Sequence, residues 1–229
     1  MLKWATRIDG AVPDKQDKEE LLLGASLANA AYIDDEEELR AALRAHAMLL
    51  LAFRPHRASI SPGREMADMF FKGELHGPQW FVASKGETKY VVLRGSDSTF
   101  DWARNLMVKP ASHGSGRWHA GFLAAARTQQ LRDDIAGFAR DGDRLCLVGH
   151  SLGGAIALTL VGAELLPSVT PPVTVLTYGS PAPCYGECIT GRTFPSALQS
   201  ARILSFVRGA DIVPRLLGSD LSWLEWFLS

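Results

Sequence analysis

One serine lies between two glycines in the segment Gly149-His150-Ser151-Leu152-Gly153. The apolar residues 145–148 before it predict a buried strand, and residues 155–166 after it predict a buried helix. Glycines on both sides permit the sharp turn that a strand–turn–helix nucleophile elbow needs, and a helix N-terminus favours developing negative charge. The pattern predicts Ser151 as a nucleophile for acyl transfer. A glycine-rich turn that only packs is the alternative.

A second segment, Val91-Val92-Leu93-Arg94-Gly95-Ser96, reads as a strand that ends in a Gly–Ser turn. Acyl transfer needs two hydrogen-bond donors aimed at the developing oxyanion. The backbone N–H of Leu152 would supply one donor, because it directly follows the nucleophile. The backbone N–H of Ser96, with or without its hydroxyl, could supply the other. Taken alone, this segment is an ordinary turn.

A third candidate is Asp211, which follows an apolar stretch at residues 203–207 that predicts another strand. A carboxylate just beyond the carboxyl end of a strand is where the acid of a Ser–Asp–His triad belongs in that chain order. Asp211 is therefore the predicted triad acid. The alternative is a solvated aspartate that caps a loop.

Six short segments together form a specific signal because of the order in which they occur, although each segment alone is a weak signal. They are Leu93-Arg94-Gly95-Ser96, Asp101-Trp102, His119-Ala120-Gly121-Phe122, Gly149-His150-Ser151-Leu152-Gly153-Gly154-Ala155, Tyr178-Gly179-Ser180-Pro181 and Asp211-Ile212-Val213-Pro214-Arg215. The chain resembles the fungal-lipase-like (class III) lipases, a family that includes the sn-1-specific diacylglycerol lipases. A leucine-rich stretch after Arg215 leans towards that subtype.

The resemblance implies the α/β-hydrolase fold and hydrolysis of acylglycerols or related lipid esters. It gives Ser151 and Asp211 their catalytic roles and assigns the oxyanion hole to Ser96 and Leu152. In such lipases the segment after the oxyanion turn often forms a mobile lid. Here that segment is residues 99–107, in which Phe100 and Trp102 are apolar, and a packed surface helix is the equal alternative.

The histidines depart from the family pattern. The family places its catalytic histidine beyond the Asp–Val–Pro segment, yet this sequence has no histidine after His150. The side chain of His150 should point away from Ser151, and His119 matches a family position that is not the base. His113 is the only substitute worth considering. We therefore expect the base, and with it the C-terminal part of the domain, to be missing, and turnover to be little above background.

The remaining pattern predicts strands that alternate with helices, which is typical of a mostly parallel sheet with helices on both faces. Residues 1–75 read as a helical N-terminal extension packed on the core, and residues 76–229 as the hydrolase domain. The predicted strands are residues 80–83, 90–93, 145–148, 173–178 and 203–207, and the predicted helices are residues 19–31, 35–53, 121–140 and 155–166, the second opening on a capping box of Asp35 and Glu38.

Composition limits the partners. A chain of 229 residues with a net charge of −1 fits one domain and does not favour nucleic acid. The sequence has no signal peptide or transmembrane segment that we recognise, so the prediction is a cytoplasmic protein with peripheral contact to a membrane or lipid droplet. No metal or cofactor is implied, Cys146 is predicted to be core, and the oligomeric state stays open.

Two other functions use the same scaffold. One is a non-catalytic module that binds a lipid or a protein partner, and the other is an esterase or thioesterase for small acyl groups. A histidine in a C-terminal loop would favour the enzyme over the binding module.

Overall fold

The computed structural model describes residues 15–55, 78–95, 110–114, 116–138, 143–166, 172–185 and 201–208, together with Asp211 and Val213. Within these ranges the chain forms a six-stranded sheet, a separate two-stranded hairpin and five helices. None of the helices in these ranges has the length and apolar character needed to cross a membrane.

The strands are β1 (Leu49–Arg54), β2 (Trp80–Lys85), β3 (Thr88–Leu93), β6 (Arg144–His150), β7 (Val173–Tyr178) and β8 (Arg202–Phe206), and the hairpin is β4 (Pro110–His113) with β5 (Gly116–His119). The central sheet has the strand order β1-β2-β3-β6-β7-β8. The first three strands pair antiparallel, whereas β3, β6, β7 and β8 run parallel, so three of the five pairings are parallel. Parallel neighbours bring their carboxyl ends to one edge of the sheet, and this carboxyl edge carries the predicted site.

Helices cover both faces of the sheet, as predicted. Their bounds are α1 (Lys15–Ala30), α2 (Glu36–Arg44), α3 (Ala120–Ala126), α4 (Gln129–Phe138) and α5 (Leu152–Gly162). Asp35 caps α2, since its carboxylate accepts a hydrogen bond from the backbone N–H of Glu38 at 2.8 Å. α5 is apolar all round, which suits a helix buried between the sheet and α3.

Side chains alternate between two apolar layers, one on each face of the sheet. On β6, Leu145 and Leu147 face the layer formed with α3, α4 and α5, which we call the α5 layer. Cys146 and Val148 face the layer formed with α1 and α2, which we call the α1 layer. Cys146 is 1% exposed, so it is core as predicted.

The predicted helix over residues 35–53 is wrong in its second half. α2 ends at Arg44, and Leu49–Arg54 forms β1, which pairs antiparallel with β2. A short apolar run does not distinguish a strand from a helix by periodicity. Here β2 supplies the hydrogen-bonding partners of the run, and Leu50 is buried in the α1 layer. The division of the chain at residue 75 stays a prediction, although β1 places part of the first segment in the same sheet as β2.

The predicted helix over residues 121–140 is two helices. α3 ends at Ala126, where the backbone N–H of Arg127 bonds back to the carbonyls of Leu123 and Ala125, and α4 begins at Gln129. The break lets Leu123 of α3 and Leu131 of α4 both enter the α5 layer. Arg127 and Thr128, which separate the two helices, include neither glycine nor proline, the residues that mark a break most strongly.

Candidate active site

Ser151 forms the turn between β6 and α5. Its backbone has φ 51° and ψ −121°, a conformation that L-residues rarely adopt and that costs on the order of 1–3 kcal/mol. The backbone N–H donates to the carbonyl of Tyr178 on the neighbouring strand at 2.9 Å, which ties the turn to β7. The hydroxyl makes no capping hydrogen bond to α5, although serine at this position usually caps its own helix. The turn thus presents a buried serine, 3% exposed, whose hydroxyl is not used by its own helix.

Glycines allow this turn to pack against its neighbours. A Cβ on Gly149 would lie 2.3 Å from the carbonyl carbon of Gly153, and a Cβ on Gly153 would lie 2.1 Å from the carbonyl oxygen of Leu93. Real Cβ atoms essentially never come so close, so the first turn of α5 rests directly on β6 and on the end of β3. The N–H of Leu152 is among the leading N–H groups of the helix that have no carbonyl partner four residues earlier in it. The N–H of Gly154 donates to the carbonyl of Ser151 at 3.1 Å.

The end of β3 reaches the same point. A Cβ on Gly95 would lie 2.7 Å from the carbonyl oxygen of His150 and 3.3 Å from Cβ of Ser151. The predicted oxyanion residue Ser96 follows Gly95 directly in the sequence, but it lies outside the described residues. The predicted lid residues Phe100 and Trp102 also lie outside them.

Asp211 lies at the carboxyl edge, beyond the end of β8. Its Oδ1 accepts a hydrogen bond from the backbone N–H of Val213 at 3.1 Å, and its own N–H donates to Arg208. Its Oδ2 rests against Gly179, the residue after β7, at 2.9 Å from where a Cβ would stand. Gly179 has φ 58°, which suits glycine. The same point lies 4.0 Å from Nε2 of His150, so the carboxylate and this ring share one corner of the edge.

His150 is engaged by groups other than Ser151. Its Nδ1 lies 2.8 Å from the hydroxyl of Tyr32, a residue in the turn after α1. Burial lowers the pKa of the imidazole, because it disfavours the cation, and the carboxylate of Asp211 acts against that shift. Along β6, His150 continues the series of Cys146 and Val148, whose side chains face the α1 layer, and Tyr32 lies on that side.

The other two histidines of the motif analysis have structural contacts of their own. His119 is the N-cap of α3: its Nδ1 accepts the backbone N–H of Phe122 at 3.4 Å, and the two rings stack at 4.1 Å. His113 lies on the β4–β5 hairpin, and its Nδ1 is 2.6 Å from the guanidinium of Arg127. Among the residues described, no three His, Cys, Asp or Glu side chains cluster as a metal site would require.

Tyr32 and Asp34 also lie near the site, and neither is predicted from the sequence. Both lie between α1 and α2. Asp34 precedes its partner Arg94 by 60 residues, and Tyr32 precedes its partner His150 by 118 residues. Asp34 forms an ion pair with the buried Arg94, and the Arg94 guanidinium lies 5.1 Å above the ring of Tyr32. Nothing local marks these residues, since their partners are brought near only by the packing of the α1 layer.

Comparison with known proteins agrees with this geometry. The model of one family, described as Lipase (class 3), matches residues 90–220. Two chloroplastic phospholipases A1 of Arabidopsis thaliana, PLIP2 and PLIP1, are each 31% identical over 158 and 156 residues, which cover 63% and 60% of this chain. The chain spans only 22% and 23% of the length of these two relatives.

Solved structures share the architecture. The lipase of Rhizopus microsporus var. chinensis superposes with a TM-score of 0.62 at 18% identity, covering 92% of this chain and 71% of that one. The Rhizomucor miehei lipase in complex with its propeptide gives 0.61 at 20% identity, covering 92% and 66%. These likenesses confirm the predicted α/β-hydrolase fold. Because the family model matches more than half of the sequence, the chain belongs to the class 3 lipase family.

Proposed function

We propose that this chain hydrolyses carboxylic esters of lipids, with Ser151 as the nucleophile and Asp211 as the acid of the triad. The observation that carries the proposal is the strained backbone of Ser151 at the junction of β6 and α5. Strain of this kind persists only where the surroundings enforce it, and here three glycine contacts and the bond to Tyr178 do so.

In the proposed reaction, Oγ of Ser151 attacks the ester carbonyl carbon while a base accepts the hydroxyl proton. The negative charge that develops on the carbonyl oxygen is stabilised by the N–H of Leu152 and, in the proposal, by Ser96. Collapse of the tetrahedral intermediate breaks the bond to the alcohol, which leaves with the proton. Water then attacks the acyl-enzyme by the same steps and releases the fatty acid.

The base is the part of the triad that these residues leave unassigned. All six histidines of the sequence precede Ser151. His113 contacts Arg127, His119 caps α3 and His150 contacts Tyr32. If His113 were an unorthodox base, replacing it with alanine would abolish turnover. We expect His113→Ala to leave turnover unchanged.

For the substrate, we propose an acyl ester of a glycerophospholipid. The support is that both Arabidopsis relatives are phospholipases A1 by name. Diacylglycerol, to which the sequence leans, is the alternative. Release of fatty acid from phosphatidylcholine vesicles and from a diacylglycerol emulsion, each measured with the same enzyme sample, distinguishes them. A rate on diacylglycerol that exceeds the rate on phosphatidylcholine would overturn the phospholipid assignment.

We also propose that the enzyme approaches lipid with its carboxyl edge and that residues 99–107, with Phe100 and Trp102, act as the lid. Phe206, at the carboxyl end of β8, is 54% exposed and offers an apolar contact at this edge.

For the compartment, the sequence predicts the cytoplasm, whereas both relatives are chloroplastic by name. Cell fractionation decides between the two.

The nucleophile is tested by hydrolysis of p-nitrophenyl butyrate. Ser151→Ala should abolish the turnover that exceeds the buffer rate, because the acyl-enzyme forms on Ser151. That excess is expected to be small, because the base is unassigned. Ser26→Ala is the matched control, since that hydroxyl bonds only within α1, to the carbonyl of Leu22. Turnover that survives in Ser151→Ala, or a wild-type chain no faster than this variant, would refute the proposal.

A further inference from the structure

The turn between α1 and α2 reaches the carboxyl edge of the sheet. Tyr32 lies in this turn, and its hydroxyl is 2.8 Å from Nδ1 of His150, the residue directly before the nucleophile. The two rings meet edge-on, with centroids 5.9 Å apart. A residue of the N-terminal layer thus holds the strand that delivers Ser151.

The same hydroxyl also touches the end of β3. A Cβ on Gly95 would lie 2.5 Å from the Tyr32 oxygen and 2.7 Å from the carbonyl oxygen of His150. Gly95 and His150 are therefore packed against each other and against one phenol. The residues that follow them in the sequence are Ser96 and Ser151, which the proposed reaction uses as oxyanion donor and nucleophile.

A second contact fixes the ring of Tyr32 in place. The guanidinium of Arg94 lies 5.1 Å above the ring centroid and is ion-paired with Asp34, two residues further along the turn. Arg94 is 8% exposed, so this charge is held in a largely dry environment, where cation–π attraction is strengthened. The backbone of Arg94 is itself fixed, because its N–H donates to the carbonyl of Gln79 at 3.0 Å.

We propose that Tyr32 is a positioning residue for ester hydrolysis, which sets the spacing between the end of β3 and the nucleophile turn through its contacts with Gly95 and His150. The inference rests on the proposed role of Ser151. Reaction rates depend steeply on alignment, and a displacement of about 1 Å far from the chemistry can cost 10²-fold. The phenol contacts His150 and Gly95, the residues directly before Ser151 and Ser96, so its loss should affect the rate of the chemical step rather than the affinity for substrate.

The test compares Tyr32→Phe with Tyr90→Phe on p-nitrophenyl butyrate. Tyr90 is a matched control because it is a tyrosine of the same α1 layer, 7% exposed, near the start of β3. Tyr32→Phe should lower kcat about tenfold and leave KM within twofold, whereas Tyr90→Phe should leave both unchanged. Equal kcat in Tyr32→Phe and wild type would overturn the inference while leaving the proposed function intact. A wild-type chain no faster than Ser151→Ala would instead refute the proposed function.

A general loss of stability is the competing explanation, and thermal unfolding of each variant separates it. A fall in kcat that follows Tm equally in both tyrosine variants would show a merely structural role and overturn the inference. Asp34→Asn serves as a second variant, because this aspartate is itself exposed and asparagine keeps an oxygen that can accept a hydrogen bond from Arg94. It should lower kcat about twofold at constant KM. Should Tyr32→Phe fail to fold, an unchanged kcat in Asp34→Asn would overturn the inference.

Discussion

The two layers that cover the sheet contribute to the active edge in different ways. The α5 layer contributes through the chain itself, since β6, Ser151 and α5 are continuous in sequence. The α1 layer contributes through side chains, since Tyr32 contacts the last residue of β6 and Asp34 contacts Arg94, the residue after β3, both from more than fifty residues away. The comparison teaches that the reactive group comes from one local strand–turn–helix unit, whereas its alignment depends on a distant part of the chain.

The largest effect is expected from cavities made in the two layers, and it shows whether both layers unfold together as one core. Leu39 of the α1 layer and Leu131 of the α5 layer are both 0% exposed. Replacing either by alanine should cost about 2–5 kcal/mol of the free energy of unfolding, because each leaves a cavity. Urea unfolding followed by far-UV circular dichroism should show one transition in both variants. A separate early transition in Leu39→Ala alone would mean that α1 and α2 form an independent extension.

A smaller effect is expected where the α5 layer meets the end of β3. Gly153→Ala would force a Cβ against the carbonyl of Leu93, and overpacking of this kind costs about 1–3 kcal/mol. Gly137→Ala in α4 is the matched control, since a Cβ there meets nothing within 4 Å and should stabilise the protein by about 0.5 kcal/mol. Thermal melts of the two variants should move in opposite directions. Equal shifts would contradict the tight junction described for the turn.

The smallest of the three effects is a pH dependence carried by His150 in the α1 layer. Its pKa is lowered in the folded protein, so between that pKa and the ordinary value the unfolded state binds more protons. Stability should therefore be full above about pH 6.5, the usual pKa of histidine, and fall as the pH drops. The groups that face the ring are the Tyr32 hydroxyl and the Asp211 carboxylate.

The check is urea unfolding at several pH values between 8 and 5, in the wild type and in His150→Gln. The substitution should flatten the pH dependence in this window. Removing the opposing charge by Asp211→Asn should lower the pKa of His150 further and make the fall with pH larger. An unchanged slope in His150→Gln would show that another group carries the dependence.

Much of the α5 layer could be predicted from sequence because its signals are local. The strand before Ser151, the turn and the helix after it are contiguous, and glycines mark the turn. The α1 layer was harder to predict from the sequence. Leu49–Arg54 is a strand only because the edge of β2 is available to pair with it. Tyr32 carries no local signal, since its partner His150 is 118 residues away. Long-range packing decides both cases, and no single window of sequence contains it.

The placement of Asp211 shows the same limit in the site itself. The sequence predicts an acid beyond the last strand, and the structure places this carboxylate against Gly179 at the carboxyl edge. The placement of Asp211 and His150 at one corner of this edge could not have been predicted, because it depends on the pairing of β6, β7 and β8.

The central claim, that Ser151 is the nucleophile, is tested most directly by covalent labelling. The wild-type chain is treated with an alkyl fluorophosphonate, digested, and the modified peptide is identified by mass spectrometry. We expect one adduct, on Oγ of Ser151, that is absent from Ser151→Ala and retained in Ser26→Ala. An adduct on another residue, labelling that survives in Ser151→Ala, or no adduct on the wild-type chain would contradict it.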